Sequence, residues 1–406
     1  MTSRRAFLGG AGAVAAAAVA LPGTAAARPE LFFGPHQSGI TTPQQGSMQF
    51  AVFDATAENR EDLIGLMRAW TLAAARLTAG LPADHLGTAD AAPPGDSGEA
   101  IGLDPARLTL TFGFGPELFL LQGKDRFGIA AERPAALVDL PLFPGDQLET
   151  GKTGGAIAVQ ACADDPQVAF HAVRQLARIG AGAVSLKWTK AGFCAAPRTK
   201  GTPRNLMGFK DGTMNPDTAD ARAMADYVWA GKEGPAWMQG GSYLVARQIR
   251  IALQHWDQMR LGFQEQVFGR HKYSGAPLGK TDEFAPLDLD ATDAEGDPLI
   301  PATAHARLGA PALNGGAQIL RRSYSYSDGA DFVAERWPPW RQAIEYDAGL
   351  MFMAYQKDPR SGFIRIFETM SRLDALNQFT THVGSGIFAC PPGATPGGWL
   401  GQGLLG

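Results

Sequence analysis

Apolar and polar positions divide the chain into two similar passages. Residues 46–53 (GSMQFAVF) are short, apolar and β-favouring. Residues 59–77 follow with Leu63, Leu66, Met67, Trp70, Leu72 and Ala73 near helical spacing. Residues 241–248 (GSYLVARQ) and then 255–268 repeat that order. Each passage offers a second strand, 108–114 in the first and 349–355 in the second. A further helix with a closing strand follows each time. Residues 170–179 lead to 184–188, and 361–379, read as strand and helix, precede 386–388. Strand–helix–strand twice in each half predicts an α+β fold of two ferredoxin-like units with antiparallel sheets. The loop-rich stretch 191–204 joins them. Residues 87–102 and the acid-rich 269–301 read as loops, the second as a solvated insertion.

Composition narrows the function. The chain has 406 residues, 45% hydrophobic and 19% charged, enough for two domains. Its net charge is −4 and no Lys/Arg run is present, so nothing points to nucleic acid. Past the extreme N-terminus no apolar run is long enough to cross a bilayer, so no stable membrane anchor is expected. Cys162, Cys194 and Cys390 form no CxxC pair, which argues against a zinc ribbon or an iron–sulfur site. They read as buried small hydrophobes.

The first residues carry an address. Arg4-Arg5 precede an uncharged run from Ala6 to Leu21, and Ala25-Ala26-Ala27 suits a cleavage site. Ser3-Arg4-Arg5-Ala6-Phe7-Leu8 resembles the twin-arginine export signal. The expected division is therefore a signal peptide at 1–27, an N-terminal ferredoxin-like domain at 28–203 and a C-terminal one at 204–406. Passage through the twin-arginine machinery would leave the protein periplasmic or extracellular.

Three features carry candidate chemistry. Gly208-Phe-Lys-Asp211-Gly212 is, by itself, a turn. His305 sits in a mildly apolar stretch, where a lone histidine is ordinarily a satisfied core or surface residue. Arg321-Arg322-Ser-Tyr324-Ser-Tyr326, taken alone, is a solvated strand edge.

Taken together, these three occur in the order, and near the spacing, of the dye-decolourising peroxidase family. The resemblance extends to 33–45 (FGPHQSGITTPQQ) and 373–379 (LDALNQF), and covers about 33–392. It implies an exported peroxidase with one b-type haem per chain, held mainly by the C-terminal domain. His305 becomes the axial ligand of the haem iron, and Asp211 and Arg321 the distal catalytic pair. Peroxide would be reduced through a ferryl intermediate at the expense of dyes, phenolics or other small electron donors. A carboxylate can move the peroxide proton, and an always-charged guanidinium stabilises the leaving oxygen. An aspartate base, with an ordinary pKa of about 3.9, implies an acidic optimum.

Other positions follow less directly. Glu368 or Asp374 is expected to orient His305. The family usually seats haem propionates on arginines, and Arg204, Arg247 and Arg322 are candidates. Leu350, Phe352, Phe363 and Phe367 are expected to line the pocket, with His36 near it. Trp229, Trp237, Trp256, Tyr324, Tyr326, Trp337 and Trp340 could relay electrons. The remaining histidines, His382 among them, read as incidental, and the tail 391–406 is given no role. Related proteins often self-associate, so a homo-oligomer is an expectation. The exported branch of the family also suggests an alternative, release of iron from haem with the porphyrin left intact.

Overall fold

The computed structural model describes residues 29–87, 90–195, 201–335 and 341–406. The signal segment, Trp337 and Trp340 lie outside them.

The first half-sheet has four strands: β1 (Ser47–Ala55), β2 (Thr109–Phe114), β3 (Ile157–Ala163) and β4 (Val184–Phe193), antiparallel in the order β2-β3-β1-β4. Helix α1 (Arg60–Thr78) links β1 to β2, and α2 (Pro166–Ile179) links β3 to β4. Asn59 caps α1 by accepting from the Asp62 N–H, and Asp165 caps α2 just before Pro166, so both helices start where orphan N–H groups find an acceptor. Leu63, Leu66, Met67, Trp70 and Ala73 face inward as their spacing predicts, whereas Leu72 is turned out to solvent.

The second half contains β5 (Ser242–Ile251), α3 (Leu261–Phe268), α4 (His305–Leu308), β6 (Leu320–Arg321), β7 (Tyr324–Glu335), β8 (Arg341–Gln356), α5 (Arg365–Leu373) and β9 (Thr380–Cys390). Its order, β9-β5-β8-β7, repeats that of the first half. Both halves are therefore ferredoxin-like α+β units. Their strands pair with one another at two thin seams, Phe114 opposite Ala389 and Phe193 opposite Ser325. Pairing of β5 with β8 closes the ring into a barrel, which hides the sheet edges.

Three expectations need correction. The apolar pattern does not predict β3, yet the strand is there. The stretch 361–379 holds no strand but a turn of π-helix, α5 and a 3-10 turn. The RRSYSY segment is no solvated edge, since Tyr324 and Tyr326 are fully buried. Alternation along β7 points them inward, and Tyr324 joins Met48, Phe50, Trp188, Met351, Tyr355 and Phe388 in the barrel core. The three cysteines are free; Cys162 and Cys390 are buried in that core, and Cys194 is half-buried beside it.

The outer faces of the half-sheets differ, and that difference positions the site. In the first half Phe53, Phe112 and Val159 pack directly on Leu63, Met67 and Trp70 of α1 and Leu176 of α2. In the second half a cavity of about 230 Å³ opens between the sheet and α4 and α5. The tail also has a place: Trp399, Leu400, Leu404 and Leu405 are buried in the first half's core.

Candidate active site

His305 is the first residue of α4. Its Nδ1 lies 2.6 Å from Oδ2 of Asp374. The other carboxylate oxygen of Asp374 accepts the Leu376 N–H at 2.9 Å, capping the 3-10 turn after α5. A backbone bond from Ala375 to Thr303 ties that turn to the approach to His305. A carboxylate only accepts, so Nδ1 carries a proton, and in the neutral ring Nε2 is then the nitrogen with the lone pair. Asp374, whose side chain is 4% exposed, is thus the partner left open in the sequence. Glu368 is exposed on α5, because Ile366 and Met370 occupy the inward face. Helical spacing together with the Asp-Ala-Leu cap pattern carried enough signal to choose.

Asp211 lies in the loop 205–216. Met207 and Phe209 anchor that loop in a cluster with Trp256 and Phe268, and Phe209 stacks on Phe268 at 3.9 Å. Gly208 and Gly212 take φ of +85° and +93°, a region that strains any residue with a Cβ, so both glycines of the motif are required by the turn. The insertion 269–301 is not merely solvated: Glu283 reaches in to bond Thr202 and Thr213 and lies 3.5 Å from Lys210, bracing the same loop. Several hydrogen bonds to Glu283 outweigh the effect of its burial and hold its carboxyl below the usual range.

Arg321 donates from Nη1 to Oδ1 of Asp211 at 2.6 Å. Asn215, from the Asp211 loop, clamps the Arg321 backbone on both sides. It accepts from the Arg321 N–H at 3.1 Å and donates to the Arg321 carbonyl at 2.7 Å.

His305, Asp374, Asp211 and Arg321 all line the one cavity, 163 residues apart at their extremes (Asp211 to Asp374). Leu350, Phe352, Phe363 and Phe367 line it as expected, with Ile249, Ile251, Ile319 and Ile366. Arg204 does not: its guanidinium donates to the backbone carbonyls of Gly208, Lys272 and Tyr273. Arg247 is fully buried behind the wall, paired with Asp146. Arg322 is turned to the Thr42 carbonyl and Gln45. His36 stacks on Trp229 at 3.8 Å, away from the cavity. Trp237, Trp256, Tyr324 and Tyr326 are buried and offer no surface terminus for a relay. Among the cavity-lining groups that sequence reasoning missed are Arg270 and His382.

Comparison with known proteins supplies the family. The description "Dyp-type peroxidase, N-terminal" matches residues 37–194, and "Dyp-type peroxidase, C-terminal" matches residues 202–395. The chain belongs to the Dyp-type peroxidase family. A dye-decolorizing peroxidase of Thermobifida fusca is 38% identical over 91% of this chain and 83% of its own. A deferrochelatase of Escherichia coli is 37% identical over 99% of this chain and 97% of its own. Among solved structures, the DyP-type peroxidase of Streptomyces coelicolor has a TM-score of 0.84 at 40% identity, covering 94% of this chain and 98% of that one. DtpA of Streptomyces lividans, known in ferric and oxyferrous forms, is 39% identical with TM-scores of 0.83 and 0.84 and the same coverage.

The chain is accordingly a haem peroxidase, and the cavity suits that group. A ligand histidine needs one free nitrogen and an acceptor on the other, and His305 has both. The aliphatic and aromatic walls suit a flat macrocycle.

Proposed function

We propose that His305 is the iron ligand and that Asp211 and Arg321 are the catalytic pair, acting on hydrogen peroxide with a small-molecule or dye as electron donor. The observation that carries this reading is one cavity holding both the His305–Asp374 pair and the Asp211–Arg321 pair. Bound haem supplies the iron at which peroxide is reduced. Asp374 fixes the tautomer and the orientation of His305 and, as an anion, makes the imidazole a stronger donor. Oδ1 of Asp211 is held by Arg321, leaving Oδ2 to take a proton from one peroxide oxygen and return it to the other. Arg321 Nη1 holds the carboxylate in place, and the guanidinium charge stabilises the oxygen that leaves. Arg270 takes the part expected of Arg204 and Arg247. It lines the cavity, and Nη1 donates to the Gly275 and Glu283 carbonyls while Nη2 has no partner among the described residues.

Export belongs to the same reading. Arg4-Arg5 and the uncharged run behind them support passage through the twin-arginine machinery and a periplasmic or extracellular location. Iron release from haem is the second reading, favoured by the deferrochelatase names among the relatives. Asp211→Asn and Arg321→Leu separate the two. In the peroxidase reading each lowers the rate constant with peroxide by roughly 10²–10⁴-fold while the Soret band stays. Unchanged peroxide kinetics, with free protoporphyrin recovered from haem, would transfer the function to iron release.

A further inference from the structure

His382 reads from the sequence as incidental, but its surroundings give it a role. It lies on β9 with its ring in the cavity wall. Nδ1 is 3.1 Å from Nε of Arg247. A guanidinium can only donate, so Nδ1 must be the acceptor, and the imidazole proton is on Nε2. Arg247 is held in that position. Its side chain is fully buried, Nη2 pairs with the buried Asp146, and Nη1 donates to the Ser385 hydroxyl at 3.0 Å. Phe367 packs on the imidazole with centroids 4.8 Å apart. Burial, and then the Arg247 charge, push the pKa of His382 well below 6.5, so the ring stays neutral.

The network therefore fixes a neutral ring with one tautomer. Its Nε2–H meets no acceptor among the described residues, in a wall it shares with Ile249, Leu350 and Phe352. A donor placed there calls for an acceptor on the ligand. Haem has oxygens of its own only in its two propionates.

We propose that His382 binds a haem propionate through Nε2–H, its tautomer imposed by the Asp146–Arg247 pair behind it. This rests on the haem reading of the cavity. It also explains Arg247, which acts on the propionate through His382 rather than by contact.

The test is a titration of the haem-free protein, followed by tryptophan fluorescence, with iron protoporphyrin and with its dimethyl ester. The ester removes both carboxylate charges and leaves the macrocycle intact. His382→Phe is expected to weaken binding of the diacid on the order of tenfold or more, as for a hydrogen bond to a charged group, and to weaken binding of the ester, whose neutral carbonyl oxygens accept less strongly, by clearly less. His382→Gln, which keeps an N–H donor and avoids any folding cost of the larger ring, is expected to recover part of the loss. Equal losses for diacid and ester, or no loss for either, overturn the proposal, because His382 would then only fill space. A wild-type chain that binds neither porphyrin overturns the haem reading itself, and the two failures are told apart by that control.

Discussion

One carboxylate and two histidines show how single residues are given their chemistry by neighbours. Asp374 is both a helix-type cap and the partner of His305, so one side chain ties local backbone order to ligand geometry. Asp374→Asn leaves an amide oxygen that can still accept but removes the negative charge. Haem affinity is expected to fall by about 10–100-fold, the range seen for partners of metal-bound histidines, with a more positive iron potential. Titration of the haem-free protein and potentiometry measure the two effects. His382 makes a pH prediction. An unfolded histidine titrates near 6.5, and the folded one lies well below. Above 6.5 both states hold a neutral ring and stability is complete. As pH falls below 6.5 the unfolded chain takes up a proton that the folded chain refuses, and stability declines by up to about 1.4 kcal/mol per pH unit. Melting of the haem-free protein should follow that slope, and His382→Gln should flatten it.

At the scale of elements, the second half uses the same strands and crossovers as the first but leaves the space between sheet and helices open. In the first half Trp70 and Phe112 pack there, with centroids 5.9 Å apart. The tail 391–406, given no role by its sequence, completes that core. Leu400→Ala is expected to destabilise the fold by about 2–5 kcal/mol without shifting the Soret band, as read by thermal unfolding. The loop between α1 and β2 is pinned through Glu99. Burial alone would raise its pKa. Hydrogen bonds from Ser97, its own backbone N–H, His171 and Arg174 outweigh that and lower it from 4.5 to about 2. Its contribution is complete above pH 4.5 and is lost as pH falls toward 2. Glu99→Gln should therefore cost stability at pH 5 to 7, and the difference from wild type should shrink in stronger acid.

For the whole molecule, the strands of the two halves pair, among the described residues, at only two single-pair seams, while side chains such as Arg247 with Asp146 and Arg322 with Gln45 also tie the halves together. All four site residues come from the second half, and so do β5, β8 and β9, which wall the cavity. A ligand that binds only the folded state stabilises what it touches. Haem loading is expected to slow amide hydrogen exchange in β5, β8, β9 and α5 far more than in β1, β2 and β3. Equal protection of both halves would mean that the seams transmit cooperativity across the entire barrel.

Local sequence is enough to specify the doubled α+β plan and the inward face of α1. Local periodicity and turn chemistry are written in neighbouring residues, but Asp211, His305 and Arg321 stand out only through the resemblance to the family, since each alone reads as a turn, an ordinary histidine and a strand edge. β3 escaped because Ile157–Ala163 is buried on both faces, so its small and apolar residues show no alternation. The choice of Asp374 over Glu368 was locally encoded, in a cap and a helix face. The fate of the arginines was not. Arg204, Arg247 and Arg270 look alike in sequence; only long-range packing turns the first to backbone carbonyls, buries the second with Asp146 and sets the third in the cavity wall. His382 is the same case: its tautomer depends on Arg247, 135 residues away, and no local pattern carries that information.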